Sequence, residues 1–104
     1  MKLLIDNGVL FVDGLYLCYA RSSDARRNQD DGCFKVEIRK DARGPYVHVD
    51  GIGRIGADAG ECGLVLGRVL GRDSLIPCPT LVERLFALVE NSTKPVVMEI
   101  HNNA

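Results

Sequence analysis

Apolar and polar positions alternate along most of this chain, and the pattern turns helical once. Lys2 to Ile5 is a short apolar strand, turned by Asp6-Asn7-Gly8. Val9 to Val12 and Leu15 to Ala20 follow, joined by Asp13-Gly14. An Asp-Gly pair between apolar runs specifies a hairpin, because a type I′ turn needs positive φ at both central positions. That register sets Val12 against Leu15, Phe11 against Tyr16 and Leu10 against Leu17. Both faces of the hairpin are apolar, which requires burial on both sides or leaves an exposed adhesive surface.

Residues 21–32 are polar and read as a loop. Cys33 to Arg39 alternates cleanly, with Phe34, Val36 and Ile38 on one face and Lys35, Glu37 and Arg39 on the other. After a turn at Asp41 to Pro45, Tyr46 and His48 share one face of the next strand, and Val47 and Val49 the other. Seven glycines between Gly51 and Gly71 exclude a helix and predict an irregular loop, then a strand from about Gly63 to Leu66 that extends toward Leu70. Leu81, Val82, Leu85, Phe86, Leu88 and Val89 recur at helical spacing, and Thr80 with Glu83 forms a capping-box pattern. A helix over about 80–91 is expected, ended before Pro95, with a last strand carrying Val96, Met98 and Ile100 on one face. The expected fold class is α+β: a mostly antiparallel sheet, an N-terminal hairpin, and one C-terminal helix over the sheet.

The 104 residues suit one compact domain over 1–104, and 46% hydrophobic with 26% charged residues is an ordinary globular balance. A net charge of −1, with acids interleaved among the basic residues from Arg21 to Arg43, argues against nucleic acid. No apolar run approaches membrane-spanning or signal-peptide length, so a cytoplasmic protein with no membrane association is expected. Cys18, Cys33, Cys62 and Cys78 form no Cys-x-x-Cys pair, so no zinc site of that kind, no other metal and no cofactor is expected. In that compartment the four thiols read as small packing groups.

One catalytic constellation is conceivable. Cys62, between Gly60-Glu61 and Gly63, sits fourteen positions after His48. A folded-back glycine loop would bring His48 to Cys62 as base to nucleophile, with Asp50 or Asp58 orienting the imidazole and amides near Gly60 and Gly63 forming an oxyanion site. The plainer reading makes His48 a strand residue beside Tyr46 and Cys62 a packing residue at a strand entry.

The segments "NGVLFVDGLYLCYA", "GCFKVEIRKDARGPYVHV", "GLVLG" and "TLVERLFALVENSTKPVVMEI" together resemble a family of small uncharacterised bacteriophage and prophage proteins. That family looks like a shortened relative of the L,D-transpeptidase domain. The resemblance implies a cysteine that enters an apolar strand directly, about ten residues after a histidine. Here Gly63 holds that cysteine position, Cys62 stands one residue earlier, and Gly51 to Gly53 contains no histidine. The catalytic motif is degenerate.

Two functions follow. One is a non-enzymatic protein-binding module, a phage or mobile-element accessory that binds and inhibits a host protein through the hairpin aromatics Phe11, Tyr16 and Tyr19. The other is a cysteine-dependent hydrolase or L,D-transpeptidase-like enzyme using Cys62 and His48. Homo-oligomerisation, such as a homodimer, through the hairpin or an edge strand is compatible with either.

Overall fold

The computed structural model describes residues 1–22, 31–58, 62–70 and 74–101. The sequence-predicted loop at 21–32 falls mostly outside that set, as do Gly60 and Glu61. In chain order the elements are β1 (Lys2–Asp6), β2 (Val9–Val12), β3 (Leu15–Ser22), β4 (Gly32–Asp41), β5 (Gly44–Val49), β6 (Gly53–Gly56), β7 (Leu64–Leu70), β8 (Ser74–Pro77), α1 (Pro79–Glu90) and β9 (Val96–His101). They form one sheet of order β3-β2-β1-β9-β4-β5-β6-β7-β8, and β3 also pairs with β7.

That last pairing closes eight strands into a barrel, with β8 added outside the ring along β7. The expected α+β class with a mostly antiparallel sheet is therefore corrected: the described residues are mostly strand, with one short helix, and form a β-barrel. Hairpin signals announce only strands that are neighbours in sequence. Closure comes from distant pairings: β1 runs parallel to β9, with Leu3 beside Met98, and β3 runs antiparallel to β7, with Ala20 beside Leu66. A second parallel pair joins β6 to β7.

Period-two alternation fills the barrel from every wall. Leu3 and Ile5 of β1, Leu10 of β2, Cys18 and Ala20 of β3, Val47 and Val49 of β5, Leu64 and Leu66 of β7, and Met98 and Ile100 of β9 are all buried in one cluster. No polar or charged residue is buried among those described. Apolar inside and charged outside is the inverse of a pore-forming membrane barrel. No helix among the described residues is long and apolar enough to cross a membrane.

Helix α1 starts against the barrel wall, where the Cys78 amide donates to the Leu66 carbonyl (3.0 Å). Its C-terminal half lies beside Met1, Val12 and Asp13. Leu81, Leu85 and Val89 point into the barrel core from this helix, as its apolar face predicts. The predicted Thr80 cap is corrected: Cys78 is the N-cap residue and makes no side-chain cap hydrogen bond. Proline's fixed φ suits the first helical turn, so Pro79 starts the helix two residues before the first position that a Thr80 cap allows.

The Asp13-Gly14 turn forms as expected, with φ of 48° and 85°. Val12 faces Leu15 and Phe11 faces Tyr16, but a bulge then intervenes and Leu10 faces Cys18 rather than Leu17. The extra residue sets Cys18 and Ala20 inward and strengthens the local twist, as bulges do in barrels. Two strands leave no clear pattern in the sequence. β6 lies in the stretch read as irregular, and β8 lies between predicted elements.

Candidate functional site

The bulge determines where the aromatic residues go. With Leu10, Cys18 and Ala20 inside, Phe11, Tyr16 and Tyr19 lie on the outer face of the β2–β3 hairpin. They form a continuous file: Phe11 meets Tyr16 edge to face with ring centroids 6.4 Å apart, and Tyr16 meets Tyr19 at 6.1 Å. The tip is open to solvent, with Leu15 75% and Tyr16 59% exposed. The two-sided apolar hairpin is thus buried on one face and turned outward on the other.

This file borders an interruption in the barrel wall. β3 pairs with β7 from Tyr19 to Ser22 only. At Gly67 the β7 backbone passes so close to β8 that an added β-carbon would lie 2.8 Å from the Ile76 carbonyl carbon and 3.1 Å from the Pro77 Cα. Beyond that point Arg68, Val69 and Leu70 pair with Ile76, Leu75 and Ser74 of β8. The length of β3 from Leu15 to Cys18 pairs with β2 on one side, and with no strand on its other side among the described residues. Edge strands are commonly guarded by charged side chains, and Leu15 to Ala20 contains none.

A second cluster lies on the outside of β4, β5 and β6. Glu37 stands directly opposite His48, Arg39 opposite Tyr46, and Arg54 opposite His48 from the other side. Arg39 donates through Nε to Glu37 Oε1 (2.7 Å), and its Nη2 approaches the same oxygen at 2.6 Å. This hydrogen bond holds the Glu37 carboxyl below its usual range, against partial desolvation, and Arg39, Lys35 and His48 add to the effect through charge. Arg54 pairs with Asp41 and lays its guanidinium over the Tyr46 ring, 4.0 Å from the centroid. His48 meets the Tyr46 ring edge to face, its side chain is 18% exposed, and its Nε2 is 3.4 Å from Asp50 Oδ1.

The two predicted catalytic residues have different surroundings. Cys62 is 7% exposed, and its Sγ fills the space a β-carbon on Gly56 would need. No hydrogen bond connects it to His48 among the described residues. His48 instead faces Asp50, one of the two acids expected to orient it. Two amides here are already used: Cys62 donates to the Asp58 carbonyl (3.1 Å) and Gly63 to the Arg54 carbonyl (2.8 Å), while Gly60 lies outside the described residues. A nucleophile needs a base within hydrogen-bond or one-water reach, and an oxyanion site needs free donors. Gly63 is a close-approach glycine, since an added β-carbon would lie 2.9 Å from the Ile52 carbonyl carbon.

Comparison with protein-family models, curated proteins and solved structures found no match to this chain.

Proposed function

We propose that this protein is a non-enzymatic protein-binding module that recognises its partner through the outer face of β2–β3. The observation that carries the reading is the file Phe11–Tyr16–Tyr19, packed edge to face outside a barrel whose interior is filled by other residues. Rigid aromatic side chains of this kind dominate binding surfaces, because they bury much area at small entropic cost. The adjoining length of β3 without a second strand supports the reading further, since an extended segment of a partner can add to such an edge. In this reading the protein works in the cytoplasm as a phage or mobile-element accessory that occludes a host protein. A second copy of the chain is the alternative occupant of the same face.

The competing cysteine-hydrolase reading requires Cys62 to be accessible and close to His48, and the packing of Cys62 against Gly56 opposes it. The binding reading is tested by placing a photo-crosslinking residue at Tyr16, and separately at Val97 on the outer face of β9, in the native host cell. One discrete adduct from position 16, absent from position 97, is expected. A discrete adduct of twice the chain mass identifies self-association through this face. Equal, diffuse labelling from both positions contradicts the reading.

A further inference from the structure

We propose that Glu37, His48 and Asp50 form a binding site for a divalent transition-metal ion on the outside of the barrel. The sequence separates Glu37 from His48 by eleven positions, and the antiparallel register of β4 and β5 sets them face to face. Asp50 follows His48 by two residues. One ligand atom from each of the three lies within 4.8 Å of the others.

The spacing of the His48–Asp50 pair is informative. His48 Nε2 and Asp50 Oδ1 are 3.4 Å apart, longer than the roughly 2.9 Å an N–H···O hydrogen bond prefers. Two ligand atoms each about 2.0–2.1 Å from a tetrahedral ion are about 3.3–3.4 Å apart. The pair therefore already spans one edge of such a site. Glu37 closes the third corner by rotation of its own side chain.

Of the described cations beside the cluster, Arg39 is the one ion-paired to it, whereas Arg54 pairs with Asp41. Arg39 engages Glu37 through Oε1 alone, leaving Oε2 without a hydrogen bond or ion pair among the described residues. Its Nη2 is 3.6 Å from Asp50 Oδ1, beyond a hydrogen bond. Arg39 thus holds the Glu37 carboxylate from outside the coordination sphere, as partners behind metal ligands commonly do. The donor set of one imidazole and two carboxylates suits zinc or cobalt better than calcium or magnesium, which prefer oxygen alone. Three protein ligands leave a fourth position for water, and the site is accessible from solvent.

The test is titration of Co²⁺ into the full-length chain, read by visible absorption. The expected result is one saturable equivalent without a thiolate-to-cobalt charge-transfer band. His48→Gln and Asp50→Asn should each weaken binding at least about tenfold. His101→Gln, at the separate His101–Glu99 pair, should leave it unchanged. If a ligand variant fails to fold, Zn²⁺-induced shifts of the two histidine ring signals in the unmodified protein decide the matter: His48 should respond and His101 should not. Absence of saturable binding, survival of binding in both ligand variants, a thiolate band, or a His101 response alone would overturn the site.

Discussion

The thiol of Cys62 occupies the place where a side chain on Gly56 would begin. Gly56 is the last residue of β6, and Cys62 stands two residues before β7, the strand parallel to β6. The sulfur is buried against the end of β6, with Cys62 only 7% exposed, which is the setting of a packing thiol.

This relationship predicts a rescue. Gly56→Ala forces the thiol aside and should cost about 1–3 kcal/mol, as overpacking does. Cys62→Ala alone removes one buried sulfur and should cost about 1 kcal/mol. A β-carbon on residue 56 would lie 3.6 Å from the Cys62 β-carbon, an ordinary contact, so the clash is with the sulfur. The double variant should therefore be more stable than Gly56→Ala alone. Urea denaturation of the four proteins checks this, and strictly additive losses would contradict the packing.

Thiol chemistry separates the two functional readings. Cys33 is exposed, whereas Cys62 and Cys18 are buried. Under native conditions a thiol-reactive probe should label Cys33 first and Cys62 only slowly, with the same Cys62 rate in His48→Ala. Mass spectrometry of the timed adducts reads the order. Cys62 labelling ahead of Cys33, slowed by His48→Ala, is the signature of the cysteine enzyme.

A third expectation concerns alkaline pH. Burial pushes the Cys18 thiol from 9.0 up to about 11, with the neighbouring Cys78 adding to the shift and the Gly67 amide opposing it. Between these values the folded chain keeps a proton that the unfolded chain has lost. This contribution to stability is present below pH 9 and is lost as pH rises toward 11, by roughly 1.4 kcal/mol per pH unit at the steepest. Cys18→Ala is less stable at neutral pH, because it leaves a void beside Leu10, but it lacks this slope. The stability gap between the two proteins should narrow between about pH 8 and about pH 10.5. A gap that stays constant contradicts the shift.

Local chemistry was legible in the sequence, and closure was not. The Asp13-Gly14 turn, the inward set Val96, Met98 and Ile100, and the division of β5 into Tyr46 and His48 against Val47 and Val49 follow from turn propensity and period-two alternation. The bulge after Leu10 left no comparable mark, yet it decides that Cys18 faces the core. Ring closure through β3 and β7 rests on residues more than forty positions apart, beyond the reach of a local pattern. The juxtaposition of Glu37 with His48 has the same origin, because register between strands creates it. Glycine meanings were half legible: Gly63 and Gly67 do mark close backbone approach, but the neighbours they admit, Ile52 and Ile76, appear only in three dimensions.

The most direct test of the central claim is Phe11→Asp, measured for folding and for partner capture in the same preparation. Phe11 lies outside the barrel, so the variant should keep its far-ultraviolet circular dichroism and lose less than about 2 kcal/mol of stability. Leu10→Ala, one residue away and fully buried, should lose about 2–5 kcal/mol. The folded Phe11→Asp protein should also lose the discrete cross-link from position 16. A Phe11→Asp chain that unfolds, or one that folds and retains the cross-link, contradicts a binding surface on the outer face of β2–β3.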